Sequence, residues 1–277
     1  MKKLLPCLKS RDGQVVLTIL LVMSVILVVS LSIASRSVTD IKISQQSQES
    51  ARALWVAQAG LEQALKANQS VGSDLSSNLG EVEYSVKKAA FGVKNKFVFP
   101  MNLAAGEAVT LWLANHDDAG KLIDTGGYSG STLTFYWGNG TLEGDDKPAL
   151  EATLIYKDGI NFLAKRYVYD PIARTPATNF TPAVTGCGLD DFSFCSGAIT
   201  LPVGTVPYFV RVKLLFNPTS QPVGVVGDAN FPPQGNSFES TATVTESGVT
   251  EKLVQYQFWE TTPPIFDYVL FSGADIQ

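Results

Sequence analysis

One histidine and three cysteines are all the chain offers for nucleophilic or transition-metal chemistry. A Ser-His-Asp arrangement would have to use His116, and no Gly-x-Ser-x-Gly turn accompanies it. Oxygen ligands gather in three loop clusters, His116-Asp117-Asp118, Gly144-Asp145-Asp146 and Asp190-Asp191. Two such clusters, brought together with backbone carbonyls, could hold calcium. None has the alternating spacing of a calcium loop, however, and solvated turns are the simpler reading. Nothing in the spacing recommends paired-carboxylate hydrolysis. Neither a Walker-type loop nor a Gly-x-Gly-x-x-Gly turn is present. The residues therefore point away from an enzyme and call for no cofactor and no metal.

Cysteine usage points outward from the cytoplasm. Cys187 and Cys195 enclose a seven-residue loop, Gly188 to Phe194, short enough for a hairpin-like staple. A disulfide there would persist only in an oxidising compartment. Two thiols with a single distant histidine do not make a zinc site, so a disulfide is favoured over free thiols. Cys7 lies in the leading basic segment with no apolar stretch before it, which argues against a lipid-modified cysteine.

The element that must carry the rest lies near the amino terminus. Residues 15–33 are apolar except for Thr18, Ser24, Ser30 and Ser32. About 20 apolar residues is what a helix needs to cross the ~30 Å hydrocarbon core of a bilayer. A secretory signal peptide has a shorter apolar core and a small-residue exit, and Ala34-Ser35-Arg36 is a poor match. From Arg36 to Lys66 there is no Pro and no Gly before Gly60, while Ala, Gln, Glu, Leu and Lys accumulate. One helix is expected to continue from membrane into water. Val38, Ile41, Trp55, Ala59, Leu61 and Leu65 fall near spacings of three and four, and predict one apolar stripe in need of a partner. The leading segment carries Lys2, Lys3, Lys9 and Arg11 against Asp12, so the chain beyond it is more acidic than the net −5 of the whole. A basic inner flank and an acidic outer body fit the positive-inside rule. The acidic body also argues against a broad nucleic-acid footprint.

A short basic leader, Gly13 before an abrupt apolar run, and an uninterrupted amphipathic extension together resemble a type IV pilin or pseudopilin precursor. The resemblance covers the first quarter of the chain and lies in layout rather than in letters. It implies cleavage by a prepilin peptidase after Gly13, with Gln14 as the first mature and N-methylated residue. Gln14 stands where Phe is common, and Thr18 occupies the fifth mature position, where major pilins carry Glu. In the family that Glu is thought to pair with a neighbour's amino terminus. Lacking it, the chain looks most like the minor, PilX-type pilins that sit at filament tips. The partners implied are other pilin subunits, the peptidase, an inner-membrane assembly platform and the lipid bilayer. The implied location is the cytoplasmic membrane as a single-pass precursor, then a surface filament. An uncleaved membrane-anchored β domain acting as an adhesin or binding module is the alternative.

The expected organisation is a leader (1–13), a helix (14–66; membrane-spanning 15–34, amphipathic 35–66), a linker (67–80) and a β-rich extracytoplasmic domain (81–277). Residues 81–89, 108–113, 132–137, 150–156, 161–169, 208–216, 241–246, 253–260 and 266–271 read as strands, several alternating apolar with polar. Asn139-Gly140, Asp158-Gly159 and Ser247-Gly248 read as hairpin turns. Trp112, Tyr136, Trp137, Tyr167, Tyr169, Phe258 and Trp259 fall mostly in strand runs and read as sheet packing rather than as a carbohydrate platform. Residues 171–207 read as an excursion from the sheet and 218–235 as a long connection. The fold class expected is α+β, a long N-terminal helix followed by an antiparallel, sandwich-like body. An apolar end strand at 266–271 should close it.

Overall fold

The computed structural model describes residues 12–67, 70–117, 119–139, 142–189 and 192–261. One helix, α1 (Asp12–Lys66), runs for 55 residues. It contains no Pro, so no backbone hydrogen bond is removed along its length. The strands that follow are β1 (Asp74–Leu79), β2 (Val82–Phe91), β3 (Lys96–Val98), β4 (Ala108–Trp112), β5 (Asn115–His116), β6 (Leu122–Ile123), β7 (Thr132–Trp137), β8 (Ala149–Asp158) and β9 (Asn161–Asp170). After them come β10 (Thr181–Pro182), β11 (Val184–Thr185), β12 (Phe194–Cys195), β13 (Ile199–Thr200), β14 (Val206–Leu215), β15 (Val223–Gly227), β16 (Gly235–Val244) and β17 (Thr250–Phe258). The class is α+β, one long helix followed in sequence by strands that form several sheets.

The chain divides into two compact units. The first holds α1 as far as Gly60 together with Ser76–Ser85 and Ser240–Leu253. These strand segments belong to a four-stranded sheet of order β1-β2-β16-β17. Ala53, Val56, Ala57 and Gly60 are buried at spacings of three and four, the pattern of one helix face against a surface. Val82 and Tyr84 of β2, and Ala242 and Val244 of β16, alternate inward and are buried as well. Of the stripe read in the sequence, Leu61 is buried and Leu65 half-buried, but the sidedness differs before them: Val38, Ile41 and Ala59 are exposed, and Trp55 is 70% exposed. The physical reason is size, since a helix can approach a sheet closely only through small side chains, and hydrophobicity scales score those weakly. Within this unit the Ser247-Gly248 turn is as expected, with the Gly248 amide donating to Val244 O at 2.8 Å and Gly248 at φ 72°.

The second unit spans Leu61–Leu75, Val86–Glu239 and the chain from Val254 on. It contains a five-stranded sheet of order β10-β9-β8-β14-β4 and a sheet of order β11-β12-β7-β15-β3, with β13 also pairing β7. Leu111, Leu154, Val210 and Val212 from the first sheet share one core with Phe97, Phe135, Trp137 and Val225 from the second. Two sheets burying their inner faces against each other make a sandwich. Its pairings are antiparallel except for the short β10, which runs parallel to β9. Of the aromatic residues read as sheet packing, Trp137 is fully buried, and Tyr167, Tyr169 and Phe258 pack against the core.

The β8–β9 hairpin has the two-residue connection expected at Asp158-Gly159, with Asp158 opposite Asn161 and Gly159 at φ 59°. Gly140 of the expected Asn139-Gly140 turn lies outside the described residues, and the flanking strands β7 and β8 belong to different sheets rather than to one hairpin. The stretch 171–207 is not an excursion either. β12 and β13 pair with β7, and Phe194, Ile199 and Leu201 lie in the core. Two-residue strands are too short to show alternation, which is why they read as loop. β15, central in its sheet between Pro218 and Gly235, is buried on both faces and so shows no alternation either, and β1, within 67–80, is polar and mostly exposed. The expected strand at 266–271 lies outside the described residues. At the end of edge strand β4 one side chain takes up the backbone of Trp112: Gln234 Oε1 accepts from the Trp112 amide at 2.8 Å while its Nε2 donates to Trp112 O at 2.8 Å. This fully buried carboxamide bonds to that one residue as a neighbouring strand would.

Candidate assembly surface

Between residues 15 and 33 every large apolar side chain is at least 48% exposed, Val22 being the least. By length and composition α1 is the one helix among the described residues that could cross a membrane. The polar residues inside this run are compatible with lipid because they can bond locally. Ser24 Oγ donates to Leu21 O at 2.8 Å and, just beyond the run, Thr39 Oγ1 donates to Ser35 O at 3.0 Å. Hydroxyls satisfied by the preceding turn carry no open donor into hydrocarbon. Gly13 and Gln14 lie in the first turn of α1, Thr18 lies on its exposed surface, and the leader residues 1–11 lie outside the described residues.

Further along, the helix is fastened to the sheet of the first unit. Ser240 of β16, fully buried, donates its hydroxyl to the Ala57 carbonyl at 2.7 Å. Arg52 pairs with Glu81 at 2.9 Å, and Ser50 bonds to Glu251. The Arg52–Glu81 pair is half-exposed and contributes little by itself. The buried contact through Ala57 fixes the distance. Only a side chain as small as Ala at 53 and 57 lets the strand come this close, and this small-residue spacing is the signal a reading based on large apolar residues passes over. The outer side of the same helix keeps Ile41 and Trp55 in the open.

The other residues singled out by their chemistry fall into separate local structures. Cys187 and Cys195 form a disulfide, with Cα atoms 6.1 Å apart. His116 lies edge-on to Trp112 at 4.5 Å and stacked on Trp259 at 5.1 Å. Burial lowers its pKa, with the neighbouring Asp117 charge opposing in part. The Asp117 carboxylate is spent on the amides of Ala119 and Lys121, at 3.0 and 2.8 Å. Gly144–Asp146 forms one 3-10 turn, and Asp118, Asp190 and Asp191 lie outside the described residues. Among the described residues no group of three His, Cys, Asp or Glu side chains converges as a metal site.

Two polar clusters were not visible in the sequence. Asp228 accepts from the Ser131 amide at 2.9 Å, the Ser131 hydroxyl at 2.8 Å, the Thr132 amide at 3.2 Å and the Tyr128 hydroxyl at 2.8 Å. The Ser131 amide first, then its hydroxyl and Tyr128, hold this carboxyl well below the ordinary range, while burial pushes the Tyr128 phenol up. A carboxylate held low adds stability above its ordinary pKa of about 3.9 and loses it as pH falls through its folded value. Arg174, nearly buried, pairs with Asp170 at 2.7 Å, donates to Asp145 O and Lys147 O, and lies 4.1 Å over the Phe216 ring. Both clusters tie loops to the sandwich, and every named group in them is already engaged.

No protein-family model, no curated protein and no solved structure matches the chain.

Proposed function

We propose that the chain is a minor structural subunit of a type IV filament, made as a membrane-held precursor. The observation that carries this reading is one unbroken 55-residue helix with two opposite characters. Its first half is apolar all round and exposed, and its second half rests on the protein's own sheet through Ala53, Val56, Ala57 and Gly60. The first half needs a covering that comes from outside the chain. Lipid supplies it before assembly; the helices of neighbouring subunits supply it afterwards, at about 25 cal/mol per Å² of apolar surface buried.

In this reading a prepilin peptidase removes residues 1–13, Gln14 becomes the methylated amino terminus, and an inner-membrane platform moves the subunit to the cell surface. Thr18 brings a hydroxyl to the position where a carboxylate would neutralise a neighbour's amino terminus. That favours a minor or tip position over the repeating shaft. A second reading, an uncleaved anchor carrying a binding domain, is favoured by the size of the second unit, whose two-sheet sandwich exceeds what supporting the helix requires.

Intact-mass and amino-terminal analysis of the protein recovered from membranes of cells with and without a prepilin peptidase separates the two. A mature chain starting at Gln14 only when the peptidase is present is the expected result. An unprocessed start in peptidase-competent native cells overturns the filament reading in favour of the anchored domain.

A further inference from the structure

Strand β9, wholly within the second unit, leaves most of one edge open. The two-residue turn makes Asp158 and Asn161 a hydrogen-bonded pair, so Leu163, Lys165 and Tyr167 continue the ladder to β8. The amides and carbonyls of Phe162, Ala164, Arg166 and Val168 then point away from the sheet. On that side no strand among the described residues pairs with β9 before Tyr169, where the short β10 begins. Asn161 through Arg166 are exposed, and even the single methyl group of Ala164 stands open, which leaves the middle of the edge uncovered. At its turn end Ile160 is 90% and Phe162 61% exposed.

Sheets commonly blunt an edge with brevity, Pro, a bulge or bare charge, because an open edge pairs with other chains. β11, β3 and β4, outer strands elsewhere in the sandwich, have two, three and five residues. β9 has ten, with no Pro and an unbroken register to β8. Its cations are engaged as well: Arg166 pairs with Glu151 at 2.9 Å, and the Lys165 ammonium lies 5.2 Å from the centre of the Tyr167 ring. A long edge without those devices is suited to strand addition.

We propose that the strand added here is β9 of a second copy, running antiparallel about a twofold axis at Ala164. The strand is complementary to itself in this register. Ala164 faces Ala164, Leu163 faces Lys165, Phe162 faces Arg166 and Ile160 faces Val168, so the open stretch is used in full and no like charges meet. A guanidinium beside an aromatic ring is itself favourable. The neighbouring registers fail on charge or on length: with Lys165 at the axis two ammoniums stand opposite each other, which is destabilising, and with Leu163 at the axis fewer residues overlap. Because Arg166 already holds Glu151, the edge calls for no acidic partner. An isologous contact of this kind closes on itself as a dimer. The inference does not rest on the filament reading, since an anchored body would present the same edge.

The test uses the full-length protein in detergent micelles, read by sedimentation and by oxidative cross-linking. Cys7→Ser serves as the parent, which removes the one cysteine outside the Cys187–Cys195 disulfide. A dimer with a Kd of about 10 μM is expected, in the weak range that suits a single added strand pair. Ala164→Lys, a change at an exposed position, sets two ammoniums face to face and should raise the Kd about tenfold or more without moving the unfolding midpoint. Ala164→Glu should do the same, and an equal mixture of the two variants should associate within about threefold of the parent. Ala164→Cys should cross-link to itself, since facing Cα atoms of a hydrogen-bonded pair lie about 5.5 Å apart; Lys165→Cys, which faces Leu163, should not. The proposal is overturned if the parent stays monomeric at about 100 μM, tenfold above the expected Kd, which would leave the edge to a different chain. It is overturned equally if Ala164→Lys associates as tightly as the parent, as it would were α1 alone holding the copies together, if the mixture does not recover association, or if Lys165→Cys cross-links as readily as Ala164→Cys.

Discussion

Residues 15–33 of α1 and strand β7 are both rich in large apolar side chains, yet the first are open on every side and the second closed. In β7 the burial alternates, with Leu133, Phe135 and Trp137 inward and Thr132, Thr134 and Tyr136 half-buried. A strand that alternates declares which face needs cover, and another sheet of the same chain can provide it. The apolar stretch of the helix has no polar side on which to rest in water. Nothing among the described residues covers it, and under the proposed function its cover is lipid or the helices of other subunits. Hydrophobicity alone therefore predicts that a surface will be hidden, and periodicity tells whether the protein itself can hide it.

The largest effect expected from breaking this contrast is on the sandwich side. Trp137 is fully buried, and its Nε1 donates to Pro148 O at 2.8 Å. Trp137→Ala removes that bond and opens a cavity, and should cost about 3–5 kcal/mol of body stability. Urea unfolding followed by circular dichroism reads it, while retention of the protein in membranes should not change. Equal loss of both would mean that the helix and the body do not fail independently.

The reverse experiment acts on the helix. Ile26, exposed at the middle of the apolar run, becomes costly in hydrocarbon when replaced by lysine, by roughly 3 kcal/mol. Ile26→Lys should shift the protein from the carbonate-resistant membrane fraction toward the soluble one and leave the urea midpoint of the body where it was. A variant that stays as firmly membrane-bound as the parent would remove the case for a spanning helix.

How much of this was legible beforehand follows the same division. The apolar run, the continuous helix, the long alternating strands and the turns at Asp158-Gly159 and Ser247-Gly248 could be read because each depends on residues a few positions apart. The layering could not. β7 finds β15 and β13, not β8, and the Tyr128–Asp228 contact joins residues 100 positions apart. Gln234 covering the edge at Trp112, and Arg174 bridging Asp170 and the carbonyls near Asp145, are equally non-local. Gly13, Gln14 and Thr18 were conspicuous by their place at the head of an apolar run. The small-residue face at Ala53, Ala57 and Gly60 was not, because alanine and glycine give little contrast in hydrophobicity.

Between these extremes stands the contact of the helix with its own sheet. Ala57→Leu places an isobutyl group where Ser240 meets the Ala57 carbonyl at 2.7 Å. Overpacking of this kind costs about 2 kcal/mol. The expected sign is a lower urea midpoint with membrane retention unaltered. An unchanged midpoint would show that the helix face is not fixed at this spacing, and the small-residue account of the contact would fail.

The smallest effect should come from the residue that the sequence made most prominent. Trp55 shares its helix with Ala57 but is 70% exposed, and surface changes away from buried features usually stay within about 0.5 kcal/mol. Trp55→Ala should therefore leave the unfolding of the isolated protein unmoved. Ile33 and Trp55 are separated by roughly 33 Å of helix at 1.5 Å per residue, so with residues 15–33 in the bilayer the indole stands clear of lipid. If neighbouring subunits cover it after assembly, Trp55→Ala will reduce recovery of the protein in sheared filaments while membrane levels of the precursor stay constant. A midpoint lowered by 1 kcal/mol or more would mean instead that the indole packs against the protein's own sheet, and the two-sided description of α1 would have to be given up.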